Sequence, residues 1–186
     1  MLNALVIYFS PGGNTKRAAE ALARGLERGG AEVTLMPLAQ AQEVDDTSYD
    51  LVCFGAPSYH FNVPEPVLHY VKKRLNKAAV RLGAPVQPYK WAVVLITYGG
   101  PHTGIDEATP AGDHLAQMFR HLGYEVRGIW YTVGAFHGDR AEANNLYGWL
   151  GDIRGRPNEH DLGVIETNAA GLAFVLSHLK NQQAQR

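Results

Sequence analysis

Hydrophobic residues fall along this chain in two alternating patterns. Unbroken apolar runs occupy Leu5-Val6-Ile7-Tyr8-Phe9, Leu51-Val52-Cys53-Phe54 and Trp91-Ala92-Val93-Val94-Leu95-Ile96. A strand exposed on one face would alternate apolar and polar residues, so these runs predict strands of a parallel sheet covered on both faces. The first extends over Leu2–Phe9. Two more strands are predicted at Glu32–Met36 and at Glu125–Val133, where Ile129, Trp130, Tyr131, Thr132 and Val133 are β-branched or aromatic.

Between the runs the spacing changes to three and four residues. Ala18, Ala19, Leu22, Ala23 and Leu26 form one helical stripe, ended by Gly29-Gly30. Val67, Leu68, Val71 and Leu75 form a second, entered through Pro64 and Pro66. A third buries Leu115, Met118, Phe119 and Leu122 behind Thr109-Pro110, which reads as N-cap and first helical position. The last helix carries Leu162, Ile165, Ala169, Leu172, Leu176 and Leu179, with Asn158 as its N-cap. A short helix is expected near Ala141–Leu150, within an irregular Gly134–Arg156 stretch that has no assigned role, and a frayed tail over Asn181–Arg186. Strands alternating with helices predict an α/β doubly wound sheet with helices on both faces, in a single domain over residues 1–186.

Composition narrows the partners. Hydrophobic residues make up 46% and charged residues 19% of the 186, with a net charge of −1, which points away from nucleic acid and anionic membranes. The apolar runs are strand-length, well short of the ~20 residues of a membrane span. A signal peptide is not expected, because Met1-Leu2-Asn3-Ala4 has no basic region and the first run ends in glycines. With one cysteine, Cys53, inside a predicted strand and read as a buried thiol, the expected location is the cytoplasm. His114, His121, His137, His160 and His178 lack ligand spacing and read as surface or packing residues, and no metal site is predicted. Asp45-Asp46 and Lys72-Lys73-Arg74 read as solvated faces.

The chemistry gathers at predicted strand ends. Ser10-Pro11-Gly12-Gly13-Asn14-Thr15 runs from the first strand into the first helix. Glycines let successive N–H groups converge, Ser10, Asn14 and Thr15 add side-chain donors, and the helix dipole favours an anion, so the expected guest is a phosphate. Lys16 follows Thr15 rather than preceding it, which excludes a Walker A loop. Gly55–Pro64 and Thr97–Gly104 are rich in aromatic and imidazole rings, with glycine-freed amides and few charges. Such a pair suits a planar heteroaromatic ring. Phosphate in one loop and ring between two others describe a mononucleotide, with FMN the candidate.

These loops resemble those of the flavodoxin-like superfamily. Ser10–Thr15 is similar to its Ser/Thr-x-Thr-Gly-Asn-Thr phosphate loop, and Gly55-Ala56-Pro57-Ser58-Tyr59 is similar to the Gly-x-Pro-x-Tyr second flavin loop of its redox proteins. The likeness covers about Met1–Leu122 in motifs and the remainder in element order. It implies a three-layer sandwich whose five-stranded parallel sheet has the order 2-1-3-4-5. It implies FMN with its phosphate on Ser10, Gly12, Gly13, Asn14 and Thr15. Pro57, Ser58, Tyr59, His60, Phe61 and Asn62 would line the flavin, while Thr97, Tyr98, Gly99 and Gly100 contact its far edge, with His102 beside them.

Four departures bear on function. Gly12 stands where the family has threonine, so one hydroxyl donor is lost. His60 stands where the carriers of the family place a glycine after the stacking aromatic, and a side chain there enters strained backbone at a cost of about 1–3 kcal/mol. The third loop lacks the family's tyrosine after its glycines, and the carriers' acidic surface is absent. The resemblance implies an FMN-binding electron-transfer protein with a protein redox partner. The alternative is an NAD(P)H-dependent quinone reductase of the same fold, taking NAD(P)H and a small acceptor and open to homo-oligomerisation. A third reading is a binding module that has lost its flavin. No side chain is required as a catalytic acid or base, His60 and His102 being the only candidate proton donors.

Overall fold

The computed structural model describes residues 1–77 and 89–183. Five strands form one parallel sheet: β1 (Leu2–Tyr8), β2 (Ala31–Pro37), β3 (Leu51–Pro57), β4 (Trp91–Tyr98) and β5 (Glu125–Val133). Their order across the sheet is β2-β1-β3-β4-β5. The expected order 2-1-3-4-5 is therefore the observed one. The polypeptide winds outward from β1 in one direction and then from β3 in the other, so the sheet reverses beside β1 and β3.

The helices are α1 (Asn14–Arg28), α2 (Glu65–Lys77), α3 (Thr109–His121), α4 (Ala141–Tyr147) and α5 (Glu159–Gln183). The apolar runs serve two cores at once. Ala4, Val6, Cys53, Val93 and Leu95 pack toward the Ala/Leu stripe of α1 and toward Ile165, Ala169, Ala173 and Leu176 of α5. Their chain neighbours Leu5, Ile7, Val52, Phe54, Val94 and Ile96 pack on the opposite side, with Val67 and Val71 of α2 and Leu115 and Phe119 of α3. Opposite pleats feed opposite layers, which is why these strands are apolar without interruption. Cys53 lies inside the sheet, where burial pushes its thiol well above the usual range.

Several expectations need correcting. β3 continues through Gly55-Ala56-Pro57, paired with Leu95–Thr97, so the second loop begins at Ser58. Thr109 is the first residue of α3 rather than its cap. Ala108 occupies the cap position, and the Thr109 hydroxyl donates to the Asp106 carbonyl within a 3-10 turn, Gly104–Glu107, that the spacing did not predict. Asn158 does cap α5: its Oδ1 accepts from Asp161 N–H at 3.1 Å, and Asp161 returns the bond to Asn158 N–H at 2.8 Å. Of the expected tail, 181–183 are helical and 184–186 lie outside the described residues.

Asp46 is buried and paired with Arg74, 28 residues away, so neither charge cluster is a purely solvated face. Helix α5 is long and apolar enough, by length and composition, to cross a membrane, which run length alone had concealed. In the fold one face of it packs, through Ile165, Ala169, Ala173 and Leu176, while Val164, Phe174 and Val175 are exposed. Its small residues meet α1, where a Cβ on Gly25 would lie 2.2 Å from the Glu166 carbonyl oxygen. Its Glu166 takes Arg28 at 2.7 Å.

Candidate functional site

The reversal of strand order leaves a crevice outside the carboxyl ends of β1, β3 and β4, where ligands bind in sheets of this kind. Four segments meet there. A cavity of about 150 Å³ is lined by Ser10, Gly12, Asn14 and Thr15 after β1, Pro57 to Tyr59 after β3, Thr97 to Gly99 at β4, and Gly134 to His137 after β5. A second, of about 300 Å³, abuts it across Ser58, Tyr59, Tyr98, Gly99 and Phe136 and continues over His60, Phe61, Gly100 and His102.

The first segment is an array of backbone donors. Gly13 caps α1 at φ 87°, a left-handed conformation natural to glycine. The side-chain donors expected to face a phosphate line the cavity and also hold the loop together. Ser10 Oγ accepts from Lys16 N–H at 2.9 Å. Asn14 Nδ2 donates to the Ala135 carbonyl at 2.7 Å. Thr15 is buried, its hydroxyl 2.7 Å from that of Thr97. The first intrahelical donor is Arg17 N–H, to the Gly13 carbonyl, and the N–H groups of Gly12, Gly13, Asn14 and Thr15 donate to no protein acceptor among the described residues. A helix N-terminus with four such donors beside a cavity fits an anion.

The second segment is a hairpin turn. Tyr59 N–H donates to Asn62 O at 2.7 Å, and Asn62 N–H to Tyr59 O at 3.0 Å. Between them His60 lies at φ 50° and Phe61 at φ 64°. Positive φ at both central residues is the mark of a type I′ turn, where Asn-Gly is the relaxed choice. The strain expected at His60 is thus present, and Phe61 shares it. Asn62 closes the turn and its Oδ1 accepts from Val63 N–H at 2.8 Å. Neither Asn62 nor Gly13 lines the two cavities, so both act as frame rather than wall.

Glu107 organises the third segment, a role not visible in the sequence. Its Oε1 accepts from His102 N–H at 2.6 Å and Thr103 N–H at 2.8 Å, while its carbonyl accepts the Ser58 hydroxyl at 2.8 Å. One residue therefore ties the β4 loop to the β3 loop. Burial pushes the phenols of Tyr59 and Tyr98 upward, so both rings stay protonated donors at neutral pH.

The fourth segment, Gly134–His137, was missed; His137 is exposed, as expected of a surface or packing residue, and it also lines the cavity. Its signal was positional: β5 ends at the same sheet edge as β4, and glycine, phenylalanine and histidine follow at once. Ala135 N–H donates to Arg156 O at 2.9 Å, Phe136 N–H to the buried Asn145 at 2.7 Å, and Asn145 Nδ2 back to Phe136 O at 3.2 Å. The Phe136 ring lies so close to Gly99 that a Cβ there would sit 2.0 Å from it.

Known proteins share this frame. A flavodoxin domain model matches residues 5–86. Flavodoxin FldP of Pseudomonas aeruginosa (strain UCBPP-PA14) is 28% identical over 178 residues, covering 89% of this chain and 87% of the relative. The chain has the flavodoxin-like fold. Among solved structures, this flavodoxin-like chain superposes on a flavodoxin from the domain Archaea with a TM-score of 0.63 at 18% identity, covering 95% of this chain and all of that one. Oxidised Flavodoxin 1 from Bacillus cereus gives 0.63 at 16% identity, covering 93% and 97%.

Proposed function

We propose that this flavodoxin-like chain binds FMN and passes electrons to a protein redox partner. The observation that carries the reading is the array of unpartnered N–H groups at the start of α1, of which Gly12, Asn14 and Thr15 line a cavity that adjoins a ring-lined cleft. The residues suit the cofactor. Gly12 to Thr15 would hold its phosphate, Ser58 to Phe61 and Tyr98 to Gly100 its ring, with His102 at the rim. FMN supplies the redox chemistry when bound.

The protein's own part is binding, orientation and exclusion of water. The Thr15–Thr97 bond fixes the phosphate loop against β4. The Glu107 bonds hold the two ring loops at a set separation. The strained His60-Phe61 turn keeps two rings at the mouth of the cleft, with Tyr59 47% and Phe61 58% exposed, where a partner can approach. Trp149 is 75% exposed beside the β4 loop, its backbone N–H donating to Pro101 O and its ring next to Gly104. The proposed location is the cytoplasm, supported by the single buried thiol.

Flavin-free protein titrated with FMN tests the reading: flavin fluorescence is expected to quench to a one-to-one endpoint. Absence of quenching would overturn FMN binding. Rapid NADPH oxidation with a quinone and no partner protein would overturn the carrier role in favour of the reductase.

A further inference from the structure

The phosphate loop lacks a hydroxyl at position 12, and the structure shows what occupies that space. A Cβ on Gly12 would lie 2.6 Å from His137 Cδ2 and 3.2 Å from His137 Nε2. The imidazole from the β5 loop therefore lies over the phosphate loop, in room that the absent side chain of Gly12 leaves open. Gly12 and His137 line the same cavity.

We propose that His137 is a phosphate-binding side chain of this site, donating from its ring to the phosphoryl oxygens of the cofactor. This rests on the FMN reading above. Three observations support it. Among the described residues no lysine or arginine lines the phosphate cavity, and His137 is the one of them in its lining able to carry a positive charge. The two residues before His137 are held from two sides, by Arg156 and Asn145 behind them and by Asn14 of the phosphate loop in front, so the backbone that carries the exposed ring is anchored beside the phosphate loop. The neighbouring donors are the unpartnered backbone N–H groups of the same loop, so the ring would add a side-chain donor to an anion site already built from the backbone. A donor that can be charged makes the stronger kind of hydrogen bond to an anion. Glycine at position 12 and histidine at position 137 share one space: a threonine at 12 would require the ring to swing aside.

The test compares FMN with riboflavin, which has the same ring and no phosphate. Flavin-free wild type, His137→Ala and His137→Gln are titrated with each by fluorescence quenching. His137→Ala is expected to bind FMN about 10- to 100-fold more weakly, with riboflavin affinity unchanged, as befits loss of a hydrogen bond to a charged group. His137→Gln, which keeps a donor without the charge, is expected to fall between. An unchanged FMN affinity in His137→Ala would overturn the proposal, and so would an equal loss for both flavins, which would make the ring a packing element. Wild type that binds neither flavin would overturn the FMN reading and this assignment together.

Discussion

The β1 and β3 loops both contain residues at positive φ, and they distribute them in opposite ways. In the β1 loop the left-handed position is Gly13, and nothing would touch a Cβ built there. The loop presents backbone N–H groups, a side chain has no task at that position, and glycine reaches the conformation without strain. In the β3 loop the left-handed positions are His60 and Phe61, at the mouth of the cleft. Here Asn-Gly would relax the turn, and the chain carries two rings instead. Strain retained where a relaxed residue is available marks a side chain kept for function.

The sharpest way to break this contrast is to move the strain. Gly13→Val places a β-branched residue at φ 87° and is expected to cost about 2 kcal/mol of stability in urea unfolding, together with most FMN affinity. The reverse change at the other loop has the opposite sign. The double variant His60→Asn, Phe61→Gly is expected to gain about 1 kcal/mol while weakening flavin binding, since it relaxes the turn and removes both rings. A variant that lost stability would show that the two rings pack well enough to outweigh their backbone strain.

The smallest effect concerns the scaffold behind the β5 loop. Asp161 pairs with Arg156, whose carbonyl holds Ala135. Burial pushes the Asp161 carboxyl up, but the bonds from Arg156 and Asn158 N–H outweigh it and hold it below the ordinary 3.8. A carboxylate lowered in the folded state contributes stability above its unfolded value, and that contribution is lost as pH falls through the lowered one. Asp161→Asn is therefore expected to destabilise at pH 7 and to flatten the loss between pH 4 and more acid conditions, as read by urea unfolding at each pH. The half-exposed Arg156 limits the effect to about 0.2–1 kcal/mol.

How much of the site was legible follows from how each part is built. Ser10–Thr15 and Gly55–Tyr59 could be read as loops of one site because their chemistry is contiguous in the chain and each adjoins a strand with an unmistakable apolar run. The β5 loop could not. Gly134–His137 joins the site through Asn14, 121 residues from Ala135, and only the sheet order brings those strand ends together. Glu107 was hidden for a similar reason, since its role depends on the 3-10 turn that brings its carboxylate back to His102 and Thr103. Asp46 and Arg74 read as surface charges because their pairing crosses 28 residues.

By itself the sequence determined the layered parallel sheet, because residues buried on both faces must be apolar at every position. It also marked the phosphate loop, because glycine is the residue that lets backbone donors converge. The tertiary structure decided which side chains remain for a ligand. Ser10, Asn14 and Thr15 bond to the loop and its neighbours while still lining the cavity, and His137 comes from the far edge of the sheet to lie over the loop. Backbone conformation follows from local chemistry, whereas a side chain's partner is set by whichever strand ends the sheet places side by side.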